Sequence, residues 1–69
     1  MGFDKKQFAT DVKTKRMVVE NKSLRGLAEE IDVHYGMLHK IEREETTPDV
    51  GDFAKVCKWL GEEPAKYLK

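Results

Sequence analysis

The tightest constraint on this chain lies between Ser23 and Arg43, in the stretch SLRGLAEEIDVHYGMLHKIER. Leu24, Leu27, Ala28 and Ile31 recur at i, i+3, i+4 and i+7, the spacing of one buried helical face. Ser23 stands just before them, where a hydroxyl accepts a hydrogen bond from a free amide of the first turn. The periodicity breaks at Asp32, a residue that tolerates left-handed backbone and can carry the chain around a corner. Val33 then offers an apolar plug for that corner. A second periodic segment comes next, from about His34 to Glu44. It turns Met37, Leu38 and Ile41 inward and Tyr35, Gly36, His39, Lys40 and Arg43 outward. Two short helices joined by a tight turn are expected, with polar groups at the front of the second.

The flanks extend this pattern. Asp4 can cap a first helix running to about Val19, with Phe8, Val12 and Val19 on one stripe, Ala9 and Arg16 beside it, and Phe3 tucked back as a staple. A cation as close to an apolar stripe as Arg16 needs a buried partner. Lys5, Lys6, Lys13 and Lys15 read as a solvated face. Asn21 and Lys22 form a polar turn. Pro48 cannot continue a helix, and Asp49 is a good N-cap for the next one, from about Val50 to Leu60. There Val50, Phe53, Ala54, Val56, Cys57 and Leu60 build the expected buried face, and Gly61 ends it. Pro64 opens a short last helix carrying Ala65, Tyr67 and Leu68. No strand signal or internal repeat interrupts this reading. The fold class is therefore all-α, a compact bundle of about five helices forming one domain over residues 1–69.

Composition narrows the classes open to it. A chain of 69 residues buries a small core. Its one cysteine, Cys57, excludes an internal disulfide and fits a reducing cytoplasm. No apolar run is long enough to span a membrane, and the N-terminus lacks a signal-peptide core, so a soluble cytoplasmic protein is expected. Net charge is zero. The charge is nonetheless polarised. Lys5, Lys6, Lys13, Lys15, Arg16, Lys22 and Arg25 outnumber Asp4, Asp11 and Glu20 in the first third, while acids outnumber bases in the remainder. A basic face matters more than the total for phosphate contact.

With these residues in view, the chain resembles the lambda-type repressor and Cro helix-turn-helix family, also called the XRE family. The resemblance runs from about Phe8 to Leu68. It rests on Ser23, Leu27-Ala28, Ile31, Val33, Leu38, Ile41-Glu42-Arg43, Pro48-Asp49 and the Phe53–Leu60 segment with its trailing Gly61. It implies a bacterial or phage transcription regulator that binds double-stranded DNA, commonly a palindromic operator, as a homodimer. Tyr35, Gly36 and Lys40 match the family's base-reading positions. Ser23, His34, His39, Arg43, Thr46 and Thr47 fall where the backbone phosphates would lie. Arg16 lies near the family's first-helix arginine and Glu42 matches its buried partner. The turn before Ser23 is one residue longer than usual, which leaves Lys15 as the alternative partner. The chain also departs from the pattern. Asp32 replaces a turn glycine, and Leu24 replaces a glutamine that touches phosphate. Glu44 replaces the glycine that ends the second helix, and Glu45 stands next to it.

The chemistry of these side chains agrees with such a role. Lys40 can donate to guanine O6 and N7, and Tyr35 can use its hydroxyl or meet a thymine methyl with its ring. His34 and His39 are five apart and do not share a face as an i, i+4 metal pair would, so no metal or other cofactor is expected. Cys57 sits within the apolar pattern without a base or oxyanion motif, and no enzyme is expected. Glu29/Glu30 and Glu62/Glu63 read as solvated pairs, and no small-molecule ligand is evident. Trp59 lies beside the buried stripe of its helix, where it can close the core or form a dimer patch. The alternative function is a helix-turn-helix scaffold for protein–protein contact, such as an antitoxin-like partner, suggested by the zero net charge and by Glu44 and Glu45.

Overall fold

A computed structural model describes residues 2–68. The first helix, α1, spans Lys5–Lys13. Asp4 starts it, its carboxylate accepting the Gln7 amide at 3.1 Å and so satisfying one of the first turn's free donors. The helix then widens. Thr14–Val19 is a π-helical segment, and the Glu20 amide donates to the Lys15 carbonyl at 2.9 Å. A turn closed by i→i+5 bonds holds one residue more than an α turn. Each added residue rotates the downstream side chains by about 100° around the axis.

That slip corrects the expected stripe. Val19 does not continue the line of Phe8 and Val12; it is 70% exposed, and Met17 and Val18 face outward with it. Arg16 stays on the inner side. Its Nε donates to Glu42 Oε2 at 2.7 Å, its Nη2 to Glu42 Oε1 at 2.9 Å, and its Nη1 to the Lys22 carbonyl at 2.9 Å. The Glu42 side chain is 8% exposed and that of Arg16 13%. The hydrogen bonds it donates to Glu42 hold the guanidinium in its charged form, against the opposing cost of burial. Lys15, the alternative partner, goes elsewhere: its ammonium donates to the Trp59 carbonyl at 2.5 Å and sits over the indole ring.

Helix α2 spans Leu24–Ile31 and α3 spans Tyr35–Glu42. Ser23 caps α2, its hydroxyl accepting the Gly26 amide at 3.0 Å. Asp32 takes the left-handed conformation at φ 57°, and the Val33 amide returns to the Ala28 carbonyl. Val33 is buried in the corner. Helix α3 ends two residues before the expected Glu44. Glu44 sits at φ 61°, the Glu45 amide reaches back to Lys40, and the Glu44 amide to Ile41. This is a Schellman closure with glutamate where glycine is usual, at a steric cost of roughly 1 kcal/mol.

Helix α4 spans Val50–Leu60 between an Asp49 cap and a left-handed Gly61. Only part of its expected face is inside. Val56 and Cys57 are buried and Phe53 and Leu60 half-buried, but Val50 is 85% exposed and Ala54 is exposed too. Val50 opens the helix and projects past the edge of a core too small to reach it. The expected last helix is a single 3-10 turn, Pro64–Tyr67. The described residues are thus all-helical, four α-helices with a π extension and a terminal turn, and form no extended strand.

The core joins Phe8, Val12, Leu27, Ala28, Val33, Leu38, Ile41, Val56, Cys57 and Tyr67. Phe3 docks edge-on against Phe8 and Phe53, with centroids 5.2 and 5.3 Å away, and the Asp4 amide bonds the Tyr67 carbonyl at 2.7 Å. The segment just before α1 is therefore fastened to the terminal turn. The Tyr67 hydroxyl donates to Asp11 at 2.6 Å. Burial pushes the Asp11 carboxyl up, but hydrogen bonds from Tyr67, Lys66 and Gln7 outweigh it and hold Asp11 below its ordinary range. Trp59 closes one edge of this core, half-buried, its indole N–H donating to Glu20 at 3.1 Å. Among the described residues no helix is long and apolar enough to cross a membrane.

The Arg16–Glu42 pair gives a direct test. Glu42→Gln is expected to cost about 1 kcal/mol or more, because it leaves a largely buried guanidinium without its counter-charge. Replacing both residues together, Arg16→Met with Glu42→Leu, is expected to cost less than Glu42→Gln alone. Urea unfolding reads both, and an unchanged midpoint for Glu42→Gln contradicts the pairing.

Candidate nucleic-acid interface

Helices α2 and α3 form one corner, and its two sides differ. Inside lie Leu27, Ala28, Val33, Leu38, Ile41 and the Glu42 carboxylate, all buried. Tyr35, His39, Lys40 and Arg43 are exposed on the other side of α3, and Gly36 is half-buried among them. The residues expected at the front of the second helix are therefore brought onto a single face. The Lys40 ammonium has no hydrogen-bonding or ionic partner among the described residues, so it is free to meet a ligand.

Several expected phosphate-contact residues already have partners. The Ser23 hydroxyl accepts the Gly26 amide, which leaves its own proton to donate outward. Arg43 Nε donates to Glu45 Oε2 at 2.9 Å, an exposed pair. Such pairs are weak and screened, yet any phosphate must compete with that carboxylate for the guanidinium. Thr46 is half-buried and Thr47 exposed, and the Thr46 hydroxyl points to the Thr47 carbonyl at a long 3.4 Å. This loop comes after the Schellman closure, so the two threonines lie just beyond the end of α3.

His34 has a structural task that its sequence position did not reveal. It is the N-cap of α3, with Nδ1 accepting the Gly36 amide at 3.0 Å. An accepting Nδ1 places the ring proton of a neutral imidazole on Nε2, where it can donate outward. A protonated ring cannot cap, because both nitrogens then carry hydrogen. Gly36 serves the same arrangement. A Cβ there would lie 3.2 Å from His34 Nδ1 and 3.4 Å from Cε1, tighter than the ring can accept without moving. The small residue at position 36 thus has a cause inside the protein as well.

One residue at this face was missed from the sequence. Arg25, second residue of α2, places its guanidinium carbon 4.7 Å from the centre of the Tyr35 ring. The Tyr35 ring in turn lies parallel to the His39 imidazole, with centroids 6.2 Å apart.

The remaining reactive groups do not assemble into another centre. Cys57 is buried, and burial, with Glu62 adding to it, pushes its thiol up and away from thiolate chemistry. Among the described residues no three His, Cys, Asp or Glu side chains gather as a metal-ion cluster. No protein-family model matches the chain, and no curated protein or solved structure matches it either.

The His34 cap can be checked on the isolated protein. His34→Ala is expected to lose about 1 kcal/mol in thermal unfolding at neutral pH, and His34→Asn to regain most of it, since asparagine caps as well. Equal melting for all three proteins would show that the imidazole contributes nothing to α3.

Proposed function

We propose that this chain is a sequence-specific DNA-binding regulator, a bacterial or phage repressor in the cytoplasm, that inserts α3 into the major groove as a homodimer. The observation that carries the reading is the division of α3 itself. Its inner side is locked by Leu38, Ile41 and Glu42, while Tyr35, Lys40 and the small Gly36 share the outer side. B-DNA's major groove admits an α-helix and presents donors and acceptors that such side chains can pair with. Lys40 would donate to guanine, and Tyr35 would read through its hydroxyl or ring edge. Ser23 and His34 would add outward donors toward the backbone, and His39, Arg43, Thr46 and Thr47 would line the phosphates. Two copies would set their α3 helices about 34 Å apart, matching half-sites of a palindrome one turn apart.

A second reading has its own support. Met17, Val18 and Val19 are exposed side by side on the π segment, and Arg43 is partly neutralised by Glu45. Both features suit a helical scaffold that binds another protein.

Selection from random-sequence duplexes at low salt separates the two. The regulator reading expects a palindromic motif to be enriched, and Lys40→Ala to relax one base pair of each half-site by about 1–3 kcal/mol. No enrichment by the parent chain would overturn it in favour of the scaffold.

A further inference from the structure

Three side chains from two helices form a stack on the outer face. Arg25 lies over one part of the Tyr35 ring at 4.7 Å, and the His39 ring runs parallel to Tyr35 with 3° between the planes. Arg25 is exposed. Glu29 and Asp32 border the same groove between α2 and α3. Yet among the described residues Arg25 forms no ion pair and no hydrogen bond with either. The guanidinium rests on the aromatic ring instead, and its N–H groups stay unspent.

A tyrosine at the first position of an exposed helix ordinarily samples several rotamers, and ordering it on binding opposes affinity. A planar cation over its face reduces that cost, because the ring is held before any ligand arrives. Arginine suits this better than lysine: it stacks as a plane, and its edge donors remain free to grip a phosphate. We propose that Arg25 is a positioning residue for Tyr35 and at the same time a phosphate contact, so that one guanidinium couples backbone grip to base reading. The proposal rests on the reading of α3 as the DNA-recognition helix.

The test compares the parent chain with Arg25→Lys, Arg25→Ala, Tyr35→Leu and the double variant Arg25→Lys/Tyr35→Leu. Each is measured on the duplex selected by the parent and on duplexes changed at single positions. Arg25→Lys keeps the charge but not the stacked plane. It is expected to bind the selected duplex roughly two- to fivefold more weakly, with the loss confined to the base pair that Tyr35→Leu also relaxes. Its salt dependence should match the parent's, while Arg25→Ala should flatten the slope of log affinity against log salt by about 0.9. In the Tyr35→Leu background, Arg25→Lys should have no further effect on discrimination. In the free protein, the Tyr35 ring-proton resonances should move in Arg25→Lys at an unchanged melting temperature. Selectivity equal to the parent's, a loss uniform across all duplexes, or unmoved Tyr35 resonances would each overturn the proposal while leaving the recognition role of α3 intact. A parent chain with no preferred duplex would overturn both.

Discussion

The two-pronged contact between Arg16 and Glu42 is the interaction on which the rest of the structure depends. It joins the far end of the first helical segment to the last residue of α3, and the third arm of the guanidinium holds the Lys22 carbonyl just before α2 begins. One side chain therefore ties the approach to α2 to the last residue of α3. Taking both charges out of water is costly, and a hydrophobic pair of similar size could fill the same space with no loss of stability. The ion pair adds direction. Two parallel N–H to oxygen bonds have a fixed geometry, so the outer face of α3 is held at a set angle to the bundle. Arg16, four residues after Val12, stays on the inner side of the first helical segment, while the π turn carries Val19 outward.

The corner between α2 and α3 then turns composition into polarity of function. The chain has no net charge, but many of its charges are consumed in ion pairs. Lys22 pairs with Glu20 and Glu30, Lys66 with Glu62 and Asp11, and Lys55 with Asp32. At the outer face Lys40 and Arg25 are left without carboxylate partners among the described residues. A local cationic surface thus survives on a neutral protein, which is the condition for a short-range electrostatic contact with modest dependence on salt. The Glu45 carboxylate on Arg43 limits that surface at one end.

Much of this is legible in the residue order, and the losses have identifiable causes. The caps at Asp4, Ser23, Asp49 and Gly61 and the corner at Asp32 stand where short polar side chains or glycine satisfy backbone groups. The inward positions Leu27, Ala28, Val33, Leu38 and Ile41 come from helical period alone. Val19 escapes a periodic reading because the period itself changes at Thr14, and nothing in TKRMVV marks an i→i+5 turn. Val50 and Ala54 keep the period of α4 but lie beyond the reach of a small core. The early end of α3 depends on Glu44 adopting a conformation that glutamate seldom takes. The roles of His34 and Arg25 depend on contacts of two side chains with their surroundings, a cap and a ring face, that leave no periodic trace.

The most direct measurement is a backbone-amide NMR titration of the labelled protein with a selected duplex at low salt. If α3 reads DNA, the amides and side chains of residues 34–43, together with Ser23 and Arg25, shift in a saturable way, while those of Met17, Val18 and Val19 stay in place or respond only to dimer formation. Shifts confined to the Met17–Val19 strip with α3 silent, or no saturable shift at all, would contradict a DNA-reading role for this helix.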